Sequence, residues 1–455
     1  MARVKRRPPT LIEGLEWVFC LLALAMMSEA LFGPVFAPDQ TLDGPEWLRL
    51  IWLPVYAGFA GMAVLRAPRL ASVWLPGLAV GALVLLAFAS ERWSIAPDIT
   101  GRRSLALLFT TLFGLLLAAR YGWKALIELV AATSLLLAVG SCVAALAFPS
   151  FGVHADLHPG AWKGLWYEKN MLGAVMARGA LACLCAAVIA PERRRLWATA
   201  AVLCGALVLM STSKTSLIGL LLAVGGVAAV AVVRRGGAVA VAAVWCLALG
   251  AGVGAIVMLT APELVLQALG KDPTLTGRTD IWAALLRQVQ ERPWTGYGYA
   301  AFWEPDLGPA WYVRRDVQWE APTAHNGWLE VLIQLGWPGL VLVAAHLSVA
   351  ALAALARLPR GEEAYWAVLS LALFVLFSLS ESTILQQNNT SWVLYVATTA
   401  KLFQLRTRRA PAPTPEREAV QVAQALAFVD AGWRRPPVAA PAAAAESLRR
   451  TSAAP

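Results

Sequence analysis

Charge is scarce in this chain of 455 residues: Asp, Glu, Lys and Arg make up 15% of it, against 59% hydrophobic residues. That is too little charge to solvate a globular surface of this length. The mean hydropathy is +0.61, and charges are confined to short intervals between long apolar runs, so the pattern describes an all-α, polytopic membrane protein. Histidine is rarer still, at four residues, and there are six cysteines. Cys20, Cys142, Cys183, Cys185, Cys204 and Cys246 all fall inside apolar runs. Cys183 and Cys185 form CxC, not the CxxC of redox or zinc sites, and the cysteines read as small packing residues. The chain contains no HExxH, no GxSxG and no Walker loop, which removes the corresponding metalloprotease, hydrolase and nucleotide-driven chemistries. A net charge of +10 would point to nucleic acid in a soluble protein, but here Lys and Arg gather at the ends of apolar runs, where they set membrane orientation. No nucleic-acid partner is expected.

A helical span takes about 20 apolar residues. On that measure twelve are expected, over 11–33, 47–66, 70–90, 104–120, 124–148, 170–190, 196–211, 213–233, 237–260, 326–357, 363–380 and 391–405. Arg3, Lys5, Arg6 and Arg7 ahead of the first run resemble a signal sequence, but no clean cleavage site follows, so the first span reads as a retained anchor. Basic residues at Arg66/Arg69, Arg120/Lys124, Arg193–Arg195, Arg234/Arg235, Arg357/Arg360 and Arg406/Arg408/Arg409 alternate with the span count, which predicts that both termini are cytoplasmic. Arg92, Arg102 and Arg103 break the alternation, and either bind an anion on the outer face or snorkel to the interface. Residues 1–405 then form the membrane domain. Residues 406–455, rich in Ala, Pro and Arg, read as a disordered cytoplasmic tail.

The longest outer loop is 261–325. Within it, Ile281, Trp282, Leu285, Leu286 and Val289 recur at helical spacing, predicting an amphipathic helix along the membrane that ends at Pro293, Gly296 and Gly298. The aromatic run that includes Trp294, Tyr297, Tyr299, Phe302, Trp303, Trp311, Tyr312 and Trp319 suits either interface anchoring or sugar contact. Gly296, Gly298 and Ala301 spell GxGxxA, but no strand precedes them and the loop faces away from nucleotide pools, so no dinucleotide site is read there. Glu304 and Asp306 form an acidic pair without further ligands, so no metal is assigned.

The expected topology gathers cations and an imidazole on one face: Lys163, Lys169, Lys214, Arg278, Arg314, Arg315 and His325. A polyanionic head group is the natural partner for such a set. Lys214 lies between two apolar runs with almost no loop around it, and is read either as a functional cation or as a snorkelling turn residue. Glu330 reads as either a structural or a functional polar contact, His154 and His158 as surface residues, and His346 as a satisfied packing histidine. Polytopy and cations also suit a transporter of a lipid-linked oligosaccharide, but here charge concentrates in outer loops and not at a midplane site.

His325-Asn326, then nine residues, then Gly336-Trp337-Pro338-Gly339 is similar to the histidine motif of the O-antigen ligases. The run from Gly277 to Trp282 and the run RPWTGYGYAAF at 292–302 resemble the long-loop signature shared by those ligases, the Wzy-type O-antigen polymerases and the exopolysaccharide polymerases. The segment from Gly164 to Gly173 and the outer loop from Trp93 to Pro97 also look familial, and the resemblance is densest over about 200–345. It implies a GT-C-like, metal-independent glycosyltransferase of the bacterial inner membrane, working at the periplasmic face without a cofactor. The implied donor is an undecaprenyl-diphosphate-linked glycan. The implied acceptor is a hydroxyl of another glycan or of the lipid A core, with polysaccharide export machinery as a further compatible partner. In the family, outer-loop arginines hold the diphosphate and the motif histidine lies near the acceptor, roles that fall on Arg278 and His325. Lys214 stands where the ligases often carry arginine, and with the Lys169-Asn170 pair it looks more like the polymerases. Asn326, Arg314, Arg315 and Tyr297 complete the expected set of diphosphate- and glycan-binding residues. An imidazole ordinarily titrates near neutral pH, so His325 is the expected base for the acceptor hydroxyl.

Overall fold

The computed structural model describes residues 10–36, 50–155, 158–240, 278–304, 308–318, 320–359 and 361–405. The described chain is all-α: among these residues the only extended pairing is a single antiparallel bridge between Val153 and Trp162. The long helices are α1 (Leu11–Met26), α2 (Trp52–Leu65), α3 (Trp74–Ala89), α4 (Pro97–Arg120), α5 (Trp123–Ala147), α6 (Lys169–Ile189), α7 (Arg194–Met210), α8 (Lys214–Val233), α9 (Arg278–Glu291), α10 (Pro309–Val317), α11 (Gly327–Leu355), α12 (Glu363–Ser378) and α13 (Thr390–Leu402). Every expected span overlaps one of these helices except 237–260, which lies largely outside the described residues; the tail 406–455 lies outside them too. Six helical stretches among the described residues are long and apolar enough to cross a membrane: 67–93, 97–120, 123–147, 169–189, 214–233 and 327–355. The chain is thus a polytopic membrane protein.

Small residues and caps explain much of the local structure. Thr10 and Glu13 form a reciprocal capping box at the start of α1. α6 sits at the centre of the bundle, because its Gly173 admits Ser211 and Ser216 and its Gly179 admits Ser134. A Cβ on Gly173 would lie 2.5 Å from Ser216 Oγ. Without water to drive helices together, such close approach is how membrane helices gain packing energy. Gly114 of α4 likewise accepts Val393 and Val396 of α13. The described cysteines are free thiols, buried or partly buried in this packing.

At the end of the bundle opposite the expected site, several of the orientation-setting basic residues are paired. Glu16 accepts from Arg66 and Arg120, Lys124 meets Glu192, and Arg193 lies 3.4 Å from Glu128.

The chain between α12 and α13 is not a surface connection. Ile384 and Leu385 are buried, and several polar groups of 385–390 are paired within the bundle. Tyr299 Oη reaches Leu385 O at 2.5 Å and Gln387 Oε1 at 2.9 Å. Asn388 N donates to Thr110 Oγ1, and Tyr56 Oη donates to Asn388 Oδ1. Asn389 Nδ2 donates to Glu29, and Thr390 N donates to Met27 O. Non-helical backbone at this depth is tolerated only when enclosed by protein.

Candidate active site at the loop end of the bundle

The sequence motifs that lie far apart in the chain meet at one dock. α11 is broken at Gly336, whose φ of 64° and ψ of −167° belong to glycine. Pro338 has no N–H to offer Gln334 O, and the break turns Trp337 N–H away from Ile333 O. The 292–298 run fills both vacancies. Tyr297 N donates to Ile333 O at 2.9 Å, Gly298 N donates to Gln334 O at 3.0 Å, and Trp337 N donates to Pro293 O at 2.9 Å. A Cβ on Gly336 would meet Trp294 backbone at 2.6 Å, and one on Gly296 would meet Gln334 backbone at 2.5 Å. The Gly336–Gly339 stretch therefore receives a loop and not a neighbouring helix. The GxGxxA run is the other half of that dock. The loop at Trp93 joins it too: Ile95 N donates to Tyr297 O, and Trp93 Nε1 donates to Thr295 O.

The dock positions α9, which forms as its periodicity predicts. Its apolar face, however, packs on the loop's own core: Ile281, Leu285 and Val289 are buried with Phe302, Trp303, Val313 and Ile333. Arg278 opens α9. Its Nη1 donates to Ser380 O at 2.7 Å, and its Nη2 lies 3.4 Å from Glu381 Oε1. The other carboxylate oxygen, Glu381 Oε2, lies 3.4 Å from His325 Nδ1. Glu381 thus bridges the two residues singled out from sequence. His325 is half-buried and holds a left-handed backbone, φ 46°. Asn326 then caps α11 by accepting from Trp328 N and Leu329 N, so its amide is engaged with the helix and not with the imidazole.

The lysines occupy neighbouring helix starts. Lys214 begins α8 and is exposed. Lys169 begins α6 with its Nζ 3.3 Å from Thr212 Oγ1, and it feels the charge of Lys214. Asn170 beside it is exposed. Phe377 of α12 packs into the notch at Gly219 of α8, which sets these lysines at the same end of the bundle as Ser380 and Glu381. His154 is not a surface residue. Its Nε2 accepts Lys169 N–H at 3.3 Å, a remote cap on α6. Burial, reinforced by the charges of Lys163, His158 and Lys169, holds its imidazole below its ordinary value.

Several other sequence candidates are held within the scaffold. Arg314 is buried, donating to Trp303 O at 2.7 Å and to Ala321 O, and lying over the Trp303 ring. Arg315 is exposed on Trp311 and Tyr312. Tyr297 Oη contacts Gln288, and burial pushes its phenol up. Glu330 accepts from Trp303 Nε1, Ala324 N, Gln334 Nε2 and Ser382 Oγ, which makes it a structural hub. His346 Nδ1 lies 2.6 Å from Tyr395 Oη, a satisfied packing histidine. Arg103 pairs with Glu304 and donates to Ala300 O, which ties it to the long loop. Arg102 turns back to Asp98 O. Asp306 and Trp319 lie outside the described residues. Among the described residues no cluster of three or more His, Cys, Asp or Glu side chains is arranged to hold a metal ion.

Residues 199–344 match the O-antigen ligase family. Lys214, Arg278 and His325 lie inside the matched stretch, while Glu381 and Lys169 lie outside it. A curated relative, the exopolysaccharide production protein ExoQ of Rhizobium meliloti (strain 1021), is 28% identical over 295 residues, covering 61% of this chain and 65% of that protein.

Sequence reasoning missed Glu381. It is 56 residues from His325, and no local spacing links them. The available signal was a lone carboxylate at the mouth of an apolar run, the kind of residue that is costly there without a task.

Proposed function

We propose that this protein transfers a glycan from an undecaprenyl-diphosphate carrier to an acceptor hydroxyl at the periplasmic face of the inner membrane, polymerising exopolysaccharide or O-antigen repeat units. The observation that carries the proposal is the convergence of Arg278 and His325 on Glu381 at the dock of the family's motifs. In the reaction, the bond between the anomeric carbon and the diphosphate oxygen breaks, and the diphosphate leaves with the electron pair. The acceptor oxygen bonds to the same carbon, and its proton passes to His325. Glu381 orients the imidazole through Nδ1, the role a carboxylate takes beside a catalytic histidine. Diphosphate is already a good leaving group, so cations that neutralise its growing charge are the main requirement. Arg278, half balanced by Glu381, presents one edge, and Lys214 with Lys169 and Asn170 offers the rest. No metal is needed for this chemistry.

The relative named for exopolysaccharide production favours polymerisation. The alternative, an O-antigen ligase, differs only in the acceptor, which would be the lipid A core. Both use the same residues. His325→Ala and Arg278→Ala are expected to abolish transfer from purified lipid-linked donor while leaving the amount of protein in the membrane unchanged. Full activity in both variants would remove the assignment.

A further inference from the structure

One charged side chain inside the bundle has no part in the chemistry above. Arg178 lies nine residues into α6 from Lys169, about 13 Å along the helix axis, so it stands near the middle of a hydrocarbon layer about 30 Å thick. An arginine at that depth is costly and is kept for a purpose. Its Nε donates to Ala174 O of its own helix at 3.1 Å, and its Nη1 donates to Ser391 Oγ in the first turn of α13. Its guanidinium carbon lies 5.0 Å from the centre of the Phe377 ring, in the last turn of α12. Its open surface faces two cavities. One lies between α6, α12 and α13 and is lined also by Phe377, Thr383 and Ser391. The other lies toward α1 and α5 and is lined by Ser28, Thr133, Ser134 and Thr390. Glu29 and Glu381 are the carboxylates whose charge reaches it.

Phe377 and Ser391 are the two shoulders of the buried segment that carries Glu381. Glu381 N donates to Phe377 O at 2.8 Å, and Ser380, beside it, presents the carbonyl that Arg278 holds. A side chain that grips both shoulders therefore determines where the carboxylate stands.

We propose that Arg178 is a positioning residue for the transfer reaction, its one guanidinium holding Phe377 and Ser391 so that the segment between them presents Glu381 to His325 and Arg278. The inference rests on the reading of His325 and Glu381 as the reacting end of the site. Arg178 itself meets no substrate. Its planar fork serves a ring on one side and a hydroxyl on another, which a lysine reproduces only in part.

The test uses the full-length protein in liposomes with lipid-linked donor, with rates expressed per folded molecule. Arg178→Met is expected to lower kcat by about tenfold or more, as small misplacements of catalytic groups do, while KM for the donor stays within about twofold. Arg178→Lys is expected to recover part of that kcat, and Ser391→Ala to lose a few-fold. An unchanged kcat in Arg178→Met overturns the proposal, and so does a raised KM alone, which would mark a ligand-binding arginine. If Arg178→Met does not accumulate, wild-type kcat in both Arg178→Lys and Ser391→Ala overturns it. His325→Ala is measured alongside. Should that variant transfer normally, the functional reading itself fails, whatever Arg178 does.

Discussion

Replacing Gly336 with alanine perturbs the dock that sets Arg278 and His325 in register. At φ 64° and ψ −167° an L-residue costs about 1–3 kcal/mol in backbone strain. The new Cβ would also stand 2.6 Å from Trp294 backbone atoms and 2.7 Å from Pro293 O. Those are main-chain atoms, so no side-chain rotation relieves the contact. Relief requires the 292–298 run to move away from α11, which breaks the hydrogen bonds Tyr297 N to Ile333 O, Gly298 N to Gln334 O and Trp337 N to Pro293 O. At about 1 kcal/mol each, with the strain, the change amounts to roughly 4–6 kcal/mol, a large share of the 5–15 kcal/mol that typically separates folded from unfolded protein. Thermal unfolding of the detergent-purified variant measures it. The control is Gly225→Ala in α8, where an added Cβ meets nothing within 4 Å. Gly336→Ala is expected to unfold several degrees below wild type and Gly225→Ala at or slightly above it. Equal unfolding temperatures for the two alanine variants would refute the reasoning.

Two further outcomes follow from the site. Glu381→Gln keeps the shape of the bridge but removes the charge that orients His325 and balances Arg278. It is expected to lower the transfer rate by about tenfold with normal protein levels, less than the roughly 100- to 10,000-fold that a general base itself supplies, and wild-type turnover would show that the carboxylate is incidental. Burial holds the His154 imidazole below its ordinary value of 6.5, so the unfolded chain takes up a proton there before the folded one does. Its contribution to stability is whole above about pH 6.5 and is lost as pH falls through the folded value. Between pH 7.5 and 5.5 wild type should lose more unfolding temperature than His154→Gln, and identical losses would mean that His154 does not cap α6.

Apolar periodicity and length were enough to read helices within nearly all the expected spans, because both are local properties. Arg278, His325, Gly336 and Pro338 were also legible, since each marks its place through residue type and spacing. What they do was only partly legible. Glu381 meets Arg278 and His325 by tertiary placement alone, at the start of a segment that reads as an outer loop, and Arg178 reaches Ser391 from the middle of α6 in the same way. Arg103 and Arg314 carried the signature of anion-binding cations. Their partners, Glu304 and the Trp303 carbonyl, are respectively 201 and 11 residues away, and only the fold of the loop brings the first of these into reach.

The most direct measurement is product analysis of the purified protein reconstituted in vesicles with an undecaprenyl-diphosphate-linked oligosaccharide as the only glycan. Mass spectrometry is expected to find glycans joined by a new glycosidic bond, with release of the lipid diphosphate, from wild type and none from His325→Ala. Movement of the intact donor across the bilayer with no new bond would contradict the account and leave a transporter in its place.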